Sequence, residues 1–383
     1  MEDYENQYKD SSAKYMQGDT PALPSEFDAI ISSLDQERES ALKKTKGLFK
    51  KSFIVIWPSF IAFTAILVLI FSGDTAIIFG VGGFLGSFGS AIAAFIYMGI
   101  KEGNVMDGFA TKLKKELVSK IVKHVNPMLT FSEEGISKEE YEKAGLIYGS
   151  KFKSEDSIRG NLNGHNVVIS ECQLTVTRSS GPSRRNRSSN SSQNTSHTDI
   201  TFNGIFMQIE LASINLASPI TIIPKFALAT TLQRLISNFI PSGSSMASTS
   251  VRVQEQDLIL IDSDLQKSDY EFFCNDPEVA KSFINQARLK VLDFIFDKYK
   301  DVRDSSANDF IAGIDKDANS GIYMSIVNNT LYIALDWNED LFEPKSSLKR
   351  EIGKSKLAEK IHRDILFINQ IINEASLLDK VNG

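Results

Sequence analysis

The chain has 383 residues, a formal net charge of −6 and a hydrophobic fraction of 42%. This length allows a membrane segment together with one or two soluble domains. The acidic balance argues against nucleic acid as a main partner. The two cysteines, Cys172 and Cys274, fall in the part predicted to be cytoplasmic, so we expect free thiols and no disulfide.

Two apolar runs, Phe53–Phe71 and Thr75–Ile100, stand side by side and contain no Lys, Arg or Glu. A helix needs about 20 apolar residues to cross a bilayer core of roughly 30 Å. A helix also satisfies its own backbone hydrogen bonds in lipid. The pattern therefore predicts a two-helix transmembrane hairpin, and the alternative is a buried helical pair in a large soluble core.

The flanks of this hairpin are basic, whereas its short connecting loop carries one Asp and no positive charge. Under the positive-inside rule both termini are cytoplasmic. We expect a two-pass membrane protein whose flanking lysines face the anionic leaflet of the lipid bilayer. The lysines before the hairpin are Lys43, Lys44, Lys46, Lys50 and Lys51.

Small residues recur in the second run at four-residue spacing, at Gly82, Gly86 and Ser90. Such a series lets two helices approach closely. It indicates packing of the two spans within one chain, with a homo-oligomer as the alternative.

The segments around the hairpin have a simpler pattern. Residues 1–23 are polar and are expected to be a disordered tail. Residues 24–52 predict an amphipathic juxtamembrane helix, and residues 101–148 predict further juxtamembrane helices. A capping box at Ser137 and Glu140 marks the start of a short helix within the second segment.

From about residue 150 the period changes to that of strands. Asn163-Gly164 and Asn328-Asn329 are each flanked by strand-like runs and predict tight hairpin turns. Gly204 suggests a β-bulge in its strand. The predicted strands are Ser157–Leu162, His165–Thr177, Asp199–Leu211, Ile220–Ile223, Val251–Ile261, Gly321–Val327 and Thr330–Trp337, and the predicted helices are Phe226–Phe239, Pro277–Lys300 and Leu348–Val381.

Tight turns between strands indicate antiparallel pairing, and the helices fall in separate blocks. The fold class is therefore α+β and not a doubly wound α/β sheet. We predict one cytoplasmic domain over residues 149–383, an antiparallel sheet with helices packed on it. A polar mobile loop, residues 178–198, interrupts this domain. Its arginines indicate a solvated loop, with contact to acidic lipid or phosphate as the alternative.

No catalytic, cofactor-binding or metal-binding residues are assigned. The four histidines, His124, His165, His197 and His362, are scattered and belong to no ligand or nucleophile motif. Asp315, Asp317 and Asn319 have the spacing of the first ligands in a calcium loop. However, Ile326 stands where such a loop requires Glu. A turn before a strand is the preferred interpretation of this segment.

Several short motifs resemble the bacterial domain-of-unknown-function family 3137. They are Asp156–Gly160, Val167–Glu171, Phe202–Phe206, Tyr270–Phe273 with Asn275–Ala280, Tyr332–Ala334 and Leu341–Pro344, and Leu34–Arg38 before the hairpin fits the front of that family. The resemblance covers roughly residues 25–380. It implies a bacterial inner-membrane protein with a cytoplasmic domain, and it brings no established activity and no catalytic residues.

These features favour a membrane-anchored, non-enzymatic protein whose cytoplasmic domain binds a protein partner or the membrane surface. The alternative is an enzyme at the membrane surface, with Glu171 and Glu271 as candidate acids. A third interpretation is a subunit of a membrane transport assembly. It is less favoured, because the two spans contain no intramembrane charge.

Overall fold

The computed structural model describes residues 23–70, 100, 104, 107–179, 196–224, 257–259, 270–304, 321–337, 342, 352 and 357–380. The chain forms two compact units. The sheet unit contains Val118–Pro344 and Glu359–Gly383, and the helical unit contains Ala22–Leu117 and Lys345–Ala358.

The sheet unit is built on a nine-stranded sheet whose order is β1-β2-β3-β4-β9-β8-β5-β7-β6. Every pairing between neighbouring strands is antiparallel. The prediction of an antiparallel α+β fold is therefore confirmed. The strands are β1 Leu129–Glu134, β2 Lys151–Leu162, β3 His165–Ser179, β4 Ser196–Glu210, β5 Leu216–Pro224, β6 Asp257–Ile259, β7 Tyr270–Cys274, β8 Ile322–Asn328 and β9 Thr330–Asp336.

Helices are described in both units. The helical unit contains the long helix α1, Glu26–Ile70, followed by helical residues 107–113 and a π-helical turn at Lys114–Val118. The sheet unit contains α2 Ser119–Val125, α3 Lys138–Glu142, α4 Pro277–Phe283, α5 Gln286–Asp304, α6 Leu357–Ala375 and α7 Leu377–Lys380.

Side chains cover the sheet on both faces. On one face Tyr141 of α3 packs on Phe206 of β4, with ring centroids 4.8 Å apart. On the other face Tyr270 of β7 stacks on Phe296 of α5 at 4.5 Å. Because both faces are buried, β8 and β9 are near-continuous apolar runs instead of alternating ones.

In the helical unit, α1 buries Phe27 and Leu34, and the helical segment at 107–113 buries Phe109 and Leu113. An ion pair between Glu37 and Lys112 joins the two segments. The amphipathic pattern of the sequence is therefore used to pack helix on helix within this unit.

Among the described residues, no helix is both long enough and apolar enough to cross a membrane. The predicted transmembrane hairpin is not confirmed. Phe53 lies within α1, which ends at Ile70, and Ile100 is exposed. The rest of the hairpin, including Phe71, Thr75, Gly82, Gly86 and Ser90, lies outside the described residues.

Several local predictions are confirmed. Ser137 accepts a hydrogen bond from the Glu140 N–H, and the Glu140 carboxylate accepts one from the Ser137 N–H, so the capping box is present. Asn163-Gly164 joins β2 to β3, and both residues have positive φ. A tight turn at Asn329 joins β8 to β9.

The single helix predicted from Pro277 to Lys300 is wrong. Helix α4 ends at Phe283, and α5 begins at Gln286. The Asn285 side chain accepts hydrogen bonds from the N–H groups of Ala287 at 3.1 Å and Arg288 at 2.9 Å. Asn285 therefore caps a new helix, as Asn side chains commonly do.

The β-bulge predicted at Gly204 is also misplaced. The irregularity between β3 and β4 lies where Leu174 pairs with Phe202 and Thr175 pairs with Ile200, which leaves Thr201 as the extra residue. Gly204 has a different role. A Cβ at this position would lie 1.9 Å from the carbonyl oxygen of Leu335, so glycine allows β9 to approach.

Strand β1 was not predicted. Strand β3 continues past its predicted end to Ser179, and β4 begins before its predicted start, at Ser196. The final helix is divided at Ser376 into α6 and α7. The predicted helix Phe226–Phe239 lies outside the described residues.

Candidate functional site

A polar cleft of about 70 Å³ lies on the sheet between β2, β3, β4 and the residue that follows β9. We call it the Glu171 cleft. This volume corresponds to about two water molecules, so the cleft is large enough for one polar group of a ligand. Its lining residues are Lys153, Glu155, Glu171, Cys172, Gln173, Asn203, Gly204, Ile205 and Trp337.

A bulge in β2 creates the acidic side of this cleft. Asp156, with φ of 51°, is the extra residue between the pairs Glu155–Glu171 and Ser157–Ser170. Without the bulge, Glu155 would fall opposite Cys172 and would point to the other face of the sheet. With it, Glu155 stands directly opposite Glu171.

The acidic row continues to the edge of the sheet, because Glu134 of β1 pairs with Glu155. Like charges directly opposite one another on neighbouring strands are destabilising. Part of this repulsion is offset locally. Lys153 forms an ion pair with Glu155, and the Phe342 N–H donates a hydrogen bond of 3.2 Å to the Glu171 carboxylate.

The amide side of the cleft is held by a chain of hydrogen bonds. Gln173 Nε2 donates to Asn203 Oδ1 at 3.3 Å, and Asn203 Nδ2 donates to the Trp337 carbonyl at 3.3 Å. In return, the Trp337 N–H donates to the Asn203 carbonyl at 2.9 Å. These bonds fix the three residues relative to one another.

Trp337, which lines the cleft, carries a buried donor. The residue is 1% exposed and stacks on Phe367 of α6, with ring centroids 6.0 Å apart. Its indole Nε1–H has no hydrogen-bond partner in the part of the chain that the structure describes. A buried donor without a partner carries a free-energy cost and is uncommon in native proteins.

The two glutamates considered as catalytic acids are not brought together. Glu171 lies on β3 and Glu271 on β7, and four strands separate β3 from β7 in the sheet. At about 4.8 Å per strand they are roughly 24 Å apart. The strand pairings put Glu171 on the same face of the sheet as Ile205 and the buried Phe272. Glu271 is the neighbour of Phe272 along β7, so its carboxylate points to the opposite face from that of Glu171. They do not form an acid–base pair.

Ser213, His165 and Asp379 lie close together, but their geometry is not that of a hydrolase. Ser213 Oγ donates to the Asp379 carboxylate at 2.5 Å, and His165 Nδ1 lies 2.9 Å from the Glu210 carbonyl. In a catalytic triad the serine contacts the histidine and the carboxylate orients that histidine. Here the carboxylate caps the serine, which indicates a structural role.

The remaining histidines form one contact. His124 of α2 and His362 of α6 face each other, with ring centroids 5.9 Å apart. Burial lowers the pKa of His362, and the neighbouring His124 lowers it further. The described residues contain no group of three side chains that would hold a metal ion. Asp315, Asp317 and Asn319 lie outside the described residues.

Both cysteines are free and buried. Burial raises the pKa of the Cys172 thiol to about 12. A thiol with so high a pKa carries almost no thiolate at neutral pH, and this makes it a poor nucleophile.

Of the basic residues predicted to lie at the membrane surface, Lys43 and Lys44 are exposed on α1. Lys43 Nζ lies 3.4 Å from a Glu39 carboxylate oxygen. Lys46, Lys50 and Lys51 follow on the same helix.

Residues 305–377 match the family model described as "Protein of unknown function (DUF3137)". The family predicted from the sequence is therefore confirmed over this segment, which contains Tyr332–Ala334 and Leu341–Pro344 of the quoted motifs. No curated protein matches the chain.

Among solved structures, the mycobacterial trehalose monomycolate transport factor A, TtfA, is similar at 10% sequence identity with a TM-score of 0.28. The alignment covers 68% of this chain and 95% of that chain. A TM-score this low does not establish a common fold, and nothing about this chain follows from it.

Proposed function

We propose that the protein is a membrane-anchored binding module whose cytoplasmic sheet unit holds an extended basic segment of a protein partner in the Glu171 cleft. The observation that carries this proposal is the composition of the cleft. Glu155 and Glu171 of the acidic row line this cleft together with Trp337, whose buried indole N–H has no acceptor among the described residues. Lys153 forms an ion pair with Glu155 at the same cleft.

An extended basic peptide supplies a positive charge for the glutamates and a hydrogen-bond acceptor for the indole N–H. A lysine or arginine side chain neutralises the carboxylates through charge-assisted hydrogen bonds, which are stronger than neutral ones. A backbone carbonyl offers an acceptor for the Trp337 indole N–H, which has none in the described part of the chain. The small volume of the cleft suits one side-chain head group, while the rest of the segment runs across the sheet surface.

The state of the glutamates favours binding over catalysis. Glu171 already accepts a backbone hydrogen bond, and Glu155 is already ion-paired. A general acid or base must be free to exchange its proton with a substrate. Because Glu171 and Glu271 lie far apart, an enzyme that uses these two glutamates together as acid and base is excluded.

Anchorage to the bacterial inner membrane rests on the apolar runs Phe53–Phe71 and Thr75–Ile100, with both termini on the cytoplasmic side. The lysines that precede Phe53 meet the lipid bilayer at its anionic surface. This arrangement holds the Glu171 cleft close to the inner face of the membrane, where a membrane-bound partner presents its basic juxtamembrane segment.

The test is a titration of the full-length chain in detergent with the peptide acetyl-Gly-Arg-Gly-amide, followed by tryptophan fluorescence. The chain has only two tryptophans, and Trp337 lines the cleft. We expect a saturable change in emission. Glu171→Gln keeps an acceptor oxygen for the Phe342 N–H and removes the charge, so it should weaken binding at least tenfold.

Two controls make the titration decisive. Glu133→Gln removes an exposed carboxylate on β1 whose side chain points to the other face from Glu134, and it should leave binding unchanged. Acetyl-Gly-Gln-Gly-amide has the same backbone without the charge, and it should bind far more weakly than the arginine peptide. Equal, non-saturable responses to the two peptides would refute the proposal.

A further inference from the structure

The turn between β2 and β3 is an Asn-Gly dipeptide on the surface of the sheet unit. Asn163 and Gly164 are both exposed, with φ of 54° and 92°. A Cβ built on Gly164 would meet no atom of the described residues within 4 Å. Because glycine has no side chain of its own, nothing at position 164 shields the peptide nitrogen from its neighbour.

An Asn-Gly dipeptide contains both partners of a deamidation reaction. The Gly164 backbone nitrogen gives its proton to water and attacks Asn163 Cγ, and the new C–N bond closes a succinimide ring. The Cγ–Nδ2 bond then breaks, and Nδ2 takes up protons from water and leaves as ammonia. Water opens the ring at one of its two carbonyls, which yields aspartate or isoaspartate. The net reaction consumes water and releases ammonia, and it makes asparagine a thermolabile residue.

Two side chains hold the reacting groups in the folded protein. Asn163 Nδ2, the leaving group, donates a hydrogen bond of 2.7 Å to Asn373 Oδ1 of α6. The Gly164 N–H, whose nitrogen is the attacking atom, donates to Asn161 Oδ1 at 3.0 Å. Ring closure requires a side-chain amide that can rotate and a backbone nitrogen that can lose its proton, and each hydrogen bond opposes one of these steps. The reaction therefore depends on local opening of the turn away from α6.

We propose that Asn163 is a site of slow deamidation in the folded protein, and that Asn373 sets its rate by holding the side-chain amide. The dipeptide Asn203-Gly204 in β4 has the same chemistry in a different environment. Gly204 is buried between β3 and β9, and both polar groups of the Asn203 side chain are hydrogen-bonded in the Glu171 cleft. Opening of that site requires the sheet to come apart, so the fold selects the exposed dipeptide for modification.

The modification would change the hairpin that carries it. Isoaspartate adds a methylene group to the backbone of the turn. The length of a two-residue turn fixes the register of the two strands that it joins. Deamidation at Asn163 would therefore loosen this end of the β2–β3 pair, and the change is irreversible because the ammonia is lost.

The test incubates the full chain in detergent at mildly alkaline pH and then follows the tryptic peptide of residues 160–178. Mass spectrometry assigns the modified asparagine, and chromatography separates aspartate from isoaspartate. Asn373→Ala removes the acceptor on α6. Asn369→Ala, one turn earlier on the same helix, is the matched control. Asn203 in the same samples reports whether a variant unfolds globally.

We expect conversion at Asn163 and none at Asn203 in the unaltered chain. Asn373→Ala should accelerate conversion at Asn163 at least about threefold, the change expected when one hydrogen bond of ordinary strength is lost, and Asn369→Ala should not. An Asn163 that stays intact in the folded chain but converts in urea would overturn the inference. Equal rates in Asn373→Ala and the unaltered chain would also overturn it. So would equal acceleration at Asn203, because global unfolding and not the contact with α6 would then control the reaction.

Discussion

The carboxylate of Asp379 in α7 accepts a hydrogen bond of 2.5 Å from the backbone N–H of Ser213, a residue 166 positions earlier in the chain. The other carboxylate oxygen accepts from the Ala212 N–H at 2.7 Å. Asp379 therefore fastens the last described helix to the connection between β4 and β5. Its carboxylate accepts hydrogen bonds from backbone N–H groups of this connection, as the side chain of an N-cap residue does at the start of a helix.

Asp379→Asn should destabilise the sheet unit. Burial by itself would raise the pKa of Asp379, but the hydrogen bonds from Ser213 and Ala212 and the nearby His165 together lower it. Hydrogen bonds to a charged group contribute about 1.5–3 kcal/mol, and the substitution should remove much of this. Urea unfolding measures the loss, and Asp107→Asn at an exposed position is the matched control.

The Asp379 carboxylate should also make the free energy of unfolding depend on pH, and the direction follows from its lowered pKa. Because the folded-state pKa of Asp379 is lowered, its contribution to stability is present above the ordinary pKa of 3.8 and is lost as the pH falls through the folded value. The Asp379→Asn substitution should flatten the unfolding free energy in this acid range. An unchanged pH profile would contradict the assigned role.

His362 should make the protein less stable on mild acidification. Its folded-state pKa lies below the ordinary value of 6.5, because burial and the neighbouring His124 disfavour the imidazolium. The unfolded chain then binds more protons, and stability falls as the pH drops through the ordinary value towards the folded one. His362→Gln should reduce this slope in urea unfolding between about pH 7 and 5.

His124→Gln separates the two causes. Burial is the larger cause for His362, so removing His124 should reduce the slope less than removing His362 does. An equal or larger effect of His124→Gln would show that the contact between the two rings, and not burial, controls the titration.

Gly204→Ala should be among the most damaging small substitutions in the sheet. The added Cβ would lie 1.9 Å from the Leu335 carbonyl oxygen and 2.9 Å from the Trp337 nitrogen, both of them backbone atoms. Overpacking costs about 1–3 kcal/mol and occasionally more, and we expect the upper end here because backbone atoms cannot rotate away. The change should also open the Glu171 cleft, because Gly204 and Trp337 both line it.

Gly108→Ala is the opposite control. Gly108 lies in a helical segment, and a Cβ there meets nothing within 4 Å. Alanine is favoured over glycine in a helix by about 0.5–1 kcal/mol, so this variant should be as stable as the parent or slightly more so. Comparable losses for both variants in thermal unfolding would contradict the close approach at Gly204.

Local sequence signals predicted those parts of the fold that local chemistry determines. The Asn163-Gly164 turn and the Ser137–Glu140 capping box require only neighbouring residues, and both are present. Strand β1 was missed because its six residues begin only two residues after Pro127 and bury only Leu129 fully. The break at Asn285 was missed because the apolar period continues across it, although an Asn three residues before Arg288 is itself a capping signal.

The Glu171 cleft was beyond prediction from local patterns. Glu134, Glu155 and Glu171 lie on three strands, and they align only through the pairing register and the bulge at Asp156. A shift of one residue would send Glu155 to the other face. Gln173 and Asn203 meet across strands in the same way, and Trp337 reaches the cleft only because β9 pairs with β4.

The central claim, a sheet unit held at the membrane by the segment around Phe53–Ile100, is tested most directly by extracting membranes that contain the full chain with carbonate at about pH 11. The uncharged runs predict that the chain remains in the membrane pellet, as integral proteins do. A variant lacking residues 53–100, with the flanking helices joined by a flexible linker, should be released. Release of the unaltered chain into the supernatant would contradict the account.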